Sequence, residues 1–273
     1  MQALTHWPLQ ARRSITGVLT DIDDTLTTRG AITLDALGAL YDLKAAGLPV
    51  IAVTGRSVGW SEPFAQAWPV DAIVAENGAV ALLSSKNSLF RKSRGHGLLS
   101  KIYQQDLTLR RHHHARMQQV AQRVLREVPG TVLAQDSAGR ETDIAIDHSE
   151  FVQLPATAIA QVVRILRSEG MTATVSSIHI NGWFGSHSKL EGARWMVREL
   201  LGRSLSDEMD QWVYVGDSTN DQLMFEAFDN SVGVANVRRF EAQLSFKPRY
   251  ITQGERGAGF AEVVAALLAA RTA

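Results

Sequence analysis

The 273-residue chain has no cysteine. That excludes disulfides, thiolate metal sites and cysteine nucleophiles, and it leaves the redox compartment open. Net charge is missing too, since 28 lysines and arginines balance 28 aspartates and glutamates. Without a bulk field to attract a polyanion, neither a nucleic acid nor an acidic membrane surface is indicated as a partner. Long apolar runs are also absent. The most apolar segment, residues 260–270 (FAEVVAALLAA), carries Glu262 and is far shorter than the ~20 residues that span a bilayer. The amino-terminal MQALTHWPLQARRS lacks the apolar stretch of a secretory signal. The expectation is a soluble, cytoplasmic protein.

What remains is an ordinary globular composition, 45% hydrophobic, in a chain long enough for about two domains. Both ends alternate short β-branched runs with helical patterns. Residues 15–20 (ITGVLT), 49–54 (PVIAVT) and 72–75 read as strands, with a helix between Thr33 as its cap and Gly47 as its stop. The same grammar returns later: a helix over 188–201, a strand over 211–215, a helix over 221–228, strands at 231–235 and 249–252, and a terminal helix from Gly259. Continuous apolar strands separated by helices argue for an α/β fold with a parallel sheet covered on both faces. The middle differs, with a basic polar stretch, a helix around 114–127, alternation through 141–146, a helix near 156–169 and a strand near 172–180. It reads as an α+β module, residues 80–186, inserted into a domain formed by residues 1–79 and 187–273.

The chemistry concentrates where strands run out. Asp21-Ile22-Asp23-Asp24-Thr25 follows the first strand, and in an open parallel sheet ligands bind at the carboxyl ends of strands. Asp21 and Asp23 are two apart, so in an extended segment both point to one side. Converging carboxylates repel unless a cation or a shared proton compensates. A hard divalent cation such as Mg²⁺, which prefers oxygen ligands, suits them. Alone, such a pair would more often be a solvated acidic turn. Here the strand over 211–215 also delivers Gly216-Asp217-Ser218-Thr219-Asn220-Asp221, the strand over 49–54 delivers Thr54-Gly55-Arg56-Ser57, and Lys189 opens a helix. Carboxylates, a hydroxyl and an ammonium meeting at one sheet edge describe a site for a metal-bound phosphoryl group.

In type and order these motifs resemble the haloacid dehalogenase superfamily. Residues 21–25 fit its DxDxT signature, Thr54 its second-strand hydroxyl, Lys189 its lysine and residues 216–221 its GDxxND motif. The resemblance covers the whole chain and implies a Rossmann-like core. The position of the insertion resembles the type II capped branch, and Glu76-Asn77-Gly78-Ala79 looks like the ENGA segment of subgroup IIB. This implies a cap of the C2B type. Within the subgroup the chain is similar to the sucrose-phosphate and mannosyl-3-phosphoglycerate phosphatases.

The resemblance assigns roles. Asp21 would attack phosphorus to form an aspartyl-phosphate, and Asp23 would protonate the leaving alcohol and then deprotonate the attacking water. Mg²⁺ would bind Asp21, the Asp23 carbonyl and Asp217. Thr54, Gly55, Lys189 and Asn220 would hold the phosphoryl group, with Asp221 behind Lys189 or a metal-bound water. The implied activity is Mg²⁺-dependent hydrolysis of a small phosphorylated metabolite, a sugar phosphate first. Asp23 argues for phosphoryl transfer, because superfamily dehalogenases attack carbon and lack that acid. A phosphomutase of the phosphomannomutase type stays open. So does a non-catalytic regulatory protein that binds phosphate esters, although intact Asp21, Asp23, Lys189 and Asp217 speak against it. The sequence carries no signal for an oligomeric state.

Other residues are candidates for substrate specificity. Arg56 and Asn77 lie close to these motifs. Alternation from Ser176 onward puts Ser177, His179 and Asn181 on one strand face, which with Trp183 would read the leaving group. Asp24 stands where the family often has glycine and reads as a variant tolerated in the turn. His112-His113-His114 looks metal-binding, but adjacent histidines on a helix diverge. A solvated basic face with Arg110, Arg111 and Arg116 is expected. Arg91-Lys92-Ser93-Arg94 is likewise read as a solvated charge run.

Overall fold

The structure, a computed structural model, describes residues 1–84 and 99–272. The Arg91–Arg94 run therefore lies outside the described residues. The chain opens with β1 (Gln2–Ala3), α1 (Leu9–Ser14), β2 (Gly17–Thr20), the short pair β3 (Thr27–Thr28) and β4 (Ala31–Ile32), α2 (Leu34–Ala45) and β5 (Val50–Val53). It continues through α3 (Val58–Ala67), β6 (Ala72–Ala75), β7 (Val80–Ser84) and β8 (Leu99–Tyr103). The inserted module holds α4 (Leu107–Glu127), β9 (Val132–Leu133), β10 (Ile144–Asp147), α5 (Ala156–Ser168), β11 (Thr172–Val175) and β12 (His179–Trp183). The chain then returns with α6 (Lys189–Leu201), β13 (Trp212–Gly216), α7 (Gln222–Ala227), β14 (Ser231–Gly233), β15 (Tyr250–Ile251) and α8 (Arg256–Thr272).

The main sheet has the order β1-β15-β14-β13-β2-β5-β6-β7-β8. Pairing is parallel from β1 to β6, and β7 and β8 are added antiparallel. The central strands are buried throughout because alternate residues feed two cores. Val18, Val50, Ala52, Val213 and Val215 face one side, where α2 and α8 add Leu40, Leu43, Phe260 and Val264. Leu19, Ile51, Val53, Trp212 and Tyr214 face the other, where α6 and α7 add Met196, Val197 and Phe225. Each fully buried aliphatic or aromatic side chain contributes about 1.5–3 kcal/mol, so the strand ends sit on a rigid base. Thr33 does cap α2, its hydroxyl accepting from the Ala36 amide at 3.3 Å.

Three of the differences from the sequence reading concern the inserted module. The module was expected to begin at residue 80, yet β7 and β8 extend the main sheet, so its own structure starts after Tyr103. The single strand expected over 172–180 is a hairpin. Ser176 Oγ accepts from the amides of Ile178 and His179 at 3.3 and 3.0 Å, a serine turn that breaks the strand. The long helix starts at Leu107 rather than near His114, because Asp106 caps it by accepting from the Leu109 amide at 2.9 Å.

The cap is a four-stranded antiparallel sheet, β11-β12-β10-β9. Ile144, Ile146 and Ile180 on one face pack under Met117 and Val120 of α4 and Val162, Ile165 and Leu166 of α5. By alternation His179 and Asn181 leave the opposite face, toward the main sheet. No described helix is long and apolar enough to cross a membrane.

Candidate active site

β2 lies between β13 and β5, so its end is flanked by the ends of both. The sheet pairing continues into the loops: the Asp21 amide donates to the Val215 carbonyl at 2.8 Å, and the Thr54 amide to the Val74 carbonyl at 2.9 Å. Lys189 is the first residue of α6, which Ser188 caps. Its Nζ donates to Asp21 Oδ1 at 2.5 Å and Asp221 Oδ1 at 2.7 Å. Asp221 is saturated. Its Oδ1 also accepts from the Tyr214 hydroxyl at 2.5 Å, and its Oδ2 accepts from the amides of Asp217 and Ser218 at 2.8 and 3.1 Å.

Asp217 is not saturated. Its Oδ2 accepts from Asn236 Nδ2 at 2.9 Å, whereas its buried Oδ1 has no hydrogen-bond partner. Carboxylate oxygens of Asp21, Asp217 and Asp221 lie within 4.8 Å of one another, and exposure is only 3%, 1% and 0%. Burial pushes the Asp21 carboxyl up to about 8; Lys189 pulls it down, and Asp221 and Asp23 add to the rise. Burial, with the charges of Asp21 and Asp221, lifts Asp217 well above the carboxylate range. Three buried carboxylates facing one ammonium lack positive charge, and buried polar atoms are rarely left unpaired. Both facts fit a hard cation held by Asp21 and Asp217, with Asp221 as their support.

The structure gives Arg56 a direction. Its Nε donates to both carboxylate oxygens of Asp23 at 2.9 Å, while Nη1 and Nη2 donate to Glu150 Oε2 at 3.1 Å and Oε1 at 2.7 Å. Glu150 Oε2 in turn accepts from His179 Nε2 at 2.8 Å. Asp24 sits at φ +53°, a left-handed conformation that favours glycine. Its carboxylate is paired with Arg256 Nε at 2.8 Å.

The remaining candidates separate. Thr54 is buried, its hydroxyl accepting from the Arg56 amide at 3.0 Å. The Gly55 carbonyl accepts from Arg140 Nη1 at 3.0 Å and Asn181 Nδ2 at 3.2 Å, and a Cβ there would lie 3.3–3.4 Å from the side-chain oxygens of Asn77 and Asn181. Asp21, Asp23, Gly55, His179, Asn181 and Asn220 line one void of about 10 Å³. Ser177 also borders it, with a buried hydroxyl that has no partner. Asn77 is placed in the seam between core and cap, where its Nδ2 donates to Asp143 Oδ2 at 3.2 Å. Trp183 does not face the site. It is 1% exposed within the cap core, and its Nε1 donates to the His187 carbonyl at 3.0 Å. The three histidines belong to no metal-holding group among the described residues; His113 bonds Gln105 at 3.1 Å.

A larger cleft of about 910 Å³ runs between α5 and residues 236–243 and reaches Asp217 and Asn236. Arg164 and Arg167 line it, with no ion pair among the described residues. Sequence reasoning missed Asn236, Tyr214 and Glu150. Asn236 follows another strand end, β14, so the strand-end rule that found Asp21 could have found it too. Nothing local marks Glu150, whose partner Arg56 is 94 residues away.

Against known proteins, residues 18–125 match the model of the haloacid dehalogenase-like hydrolases. The chain is 28% identical over 253 residues to a phosphoglycolate phosphatase of Methanothermobacter thermautotrophicus, covering 90% of this chain and 96% of that one. Its fold resembles the sucrose-phosphatase of Synechocystis, solved with sucrose and phosphate, at a TM-score of 0.63 and 16% identity over 93% of this chain and 98% of that one. The fold also resembles that of a haloacid dehalogenase subclass IIB sugar phosphatase, at a TM-score of 0.60 and 13% identity, over 92% of this chain and 98% of that one.

Proposed function

We propose that the chain is a haloacid dehalogenase-like phosphatase and that it hydrolyses a small phosphorylated metabolite, a sugar phosphate, with Mg²⁺ and through a phosphorylated Asp21. The observation that carries the metal is the orphaned Asp217 Oδ1 beside two further buried carboxylates. Asp21 and Asp217 would hold the ion, with Asn236 and Asp221 fixing the Asp217 side chain and loop. Two like charges ~4 Å apart repel by about 4 kcal/mol at an effective dielectric of 20, so an anionic nucleophile needs help to approach a phosphate. The bound ion supplies positive charge to the transferring oxygens.

The chain's own residues do the rest. Lys189 engages one oxygen of Asp21, leaving the other for attack on phosphorus, and its ammonium stands where charge develops on the phosphoryl group. Asp23 is placed to act in both steps: having taken up a proton before the first, it gives that proton to the leaving oxygen, and it then takes one from the water that cleaves the phosphoaspartate. The pair with Arg56, in which both its oxygens accept, is the arrangement that the second step needs. Asp221 and Tyr214 keep Lys189 aimed. The cap leaves a void of about 10 Å³ beside Asp21, which limits the water that reaches that carboxylate, while Asp23 also borders an open pocket of about 390 Å³.

A sugar leaving group is supported by the fold it shares with sugar phosphatases and by a cleft with room for one. A leaving group that bears its own carboxylate is the second reading. It is favoured by Arg164 and Arg167 in that cleft, which have no ion pair among the described residues, and by the phosphoglycolate phosphatase relative. The test is phosphate release from sugar phosphates and phosphorylated hydroxy acids with Mg²⁺, beside Asp21→Asn and Arg164→Ala/Arg167→Ala. Release abolished in Asp21→Asn supports the mechanism. A KM raised in the arginine variant for acids alone selects the second reading. Interconversion of hexose phosphates without release would replace the phosphatase with a mutase, and binding without turnover would leave the regulatory role.

A further inference from the structure

We propose that Glu150 is a positioning residue for Asp23, acting through Arg56, so that the acid/base carboxylate is fixed only while the cap is shut. This rests on the phosphatase reading above. Arg56 comes from the core, on the loop after β5, and Glu150 and His179 come from the cap. The guanidinium is 4% exposed and lies 4.7 Å from the Trp60 ring centroid. Its fork is planar and rigid, so fixing the Nη edge on Glu150 fixes the Nε edge on Asp23. Glu150 is itself held in place. Asp147, at the end of β10, accepts from the amides of Ser149, Glu150 and Phe151 at 3.1, 2.9 and 3.0 Å.

The cap has to move. The cleft at Asp217 and a pocket of about 390 Å³ at Asp23 and Glu150 are open, but the void at Asp21 is only about 10 Å³, roughly one water, so a phosphoryl group reaches Asp21 only when that end of the cap lifts. The other end is tied down. Glu76 accepts from the amides of Glu141 and Thr142 at 3.0 and 2.5 Å, and Asp136 from the Ser57 amide at 3.1 Å. Lifting residues 147–151 and 176–179 about that anchored end withdraws Glu150 from Arg56 and frees the guanidinium to turn. Closure over substrate restores the pair and, through it, the orientation of Asp23.

The test is a cycle of Glu150→Ala, Arg56→Lys and the double variant, with Glu150→Gln as the conservative control. Glu150→Ala should lower kcat about tenfold, as misplacement of a reacting group does, with KM changed less than about twofold because Glu150 does not bind substrate. Glu150→Gln should recover part of the loss, and the double variant should be no slower than Arg56→Lys alone. Amide exchange at residues 149–151 should quicken in Arg56→Lys while residues 141–142 stay protected. A kcat unchanged or raised in Glu150→Ala, or losses that add in full, overturns the proposal. If the wild type cleaves no ester at all, the phosphatase reading has failed, and unchanged exchange at 149–151 would then overturn the latch on its own.

Discussion

The strand-end site and the seam between core and cap are built from the same kind of parts. In the seam, Glu76, Asp136 and Asp143 gather about Arg140. At the strand ends, Asp21, Asp217 and Asp221 gather about Lys189. The seam is complete. Asp143 accepts from Arg140 on one oxygen and from Asn77 and Asn181 on the other, and Glu76 takes the Val58, Glu141 and Thr142 amides and the Thr142 hydroxyl. The strand-end cluster stops one partner short, at Asp217 Oδ1. Equal charge ratios therefore carry different meanings: satisfied lone pairs make a joint, and an unsatisfied one makes room for a ligand.

The largest test of this difference is Arg140→Met. It strands three buried carboxylates in the seam, and breaking such a network costs about 3–5 kcal/mol, to be read by chemical denaturation. A loss under about 1 kcal/mol would mean that the seam is not a charge-dependent joint. Asp217→Asn should act in the opposite direction. With chelator present it relieves repulsion and raises Tm by a few degrees, whereas added Mg²⁺, which stabilises the wild type by binding the folded state, should no longer do so. A Tm that falls in chelator would contradict the crowding.

A pH series sharpens the contrast. Burial lifts Asp143 to about 7, against the pull of Arg140, and lifts Asp21 to about 8. For carboxyls raised above their unfolded value, the folded state holds the extra protons. Their contribution is full below about pH 4 and is lost as pH climbs through the folded values. Metal-free protein should therefore lose Tm between pH 6.5 and 8, and Mg²⁺ should flatten the Asp21 share. His187, which burial lowers to about 4, titrates below that window. A flat metal-free profile would count against both shifts. The smallest effect belongs to Trp183→Phe: loss of one hydrogen bond, about 1 kcal/mol, with KM unaltered for any substrate. A raised KM would return Trp183 to the site.

The meeting of Asp21, Asp217 and Asp221 was legible because each stands in a short signature just after a buried strand, and that of Lys189 because it opens the helix that returns to them. Direction was harder. Alternation put Trp183 beside His179 and Asn181, but a large indole with a carbonyl within reach at His187 is better buried in the cap core. The residue-80 boundary was misplaced because VALLS reads as a buried strand without saying which sheet it joins. Glu150 was illegible, since its role depends on a contact made only when cap and core meet.

The most direct measurement is to quench the enzyme during turnover of a cleaved ester with Mg²⁺, reduce it with borohydride and map the peptide containing residue 21. An aspartyl-phosphate becomes homoserine under this treatment. The account predicts homoserine at position 21 in the wild type, none in Asp21→Asn, and phosphate release in that variant lower by at least about a thousandfold. Steady phosphate release with residue 21 unmodified, and little changed in Asp21→Asn, would contradict it.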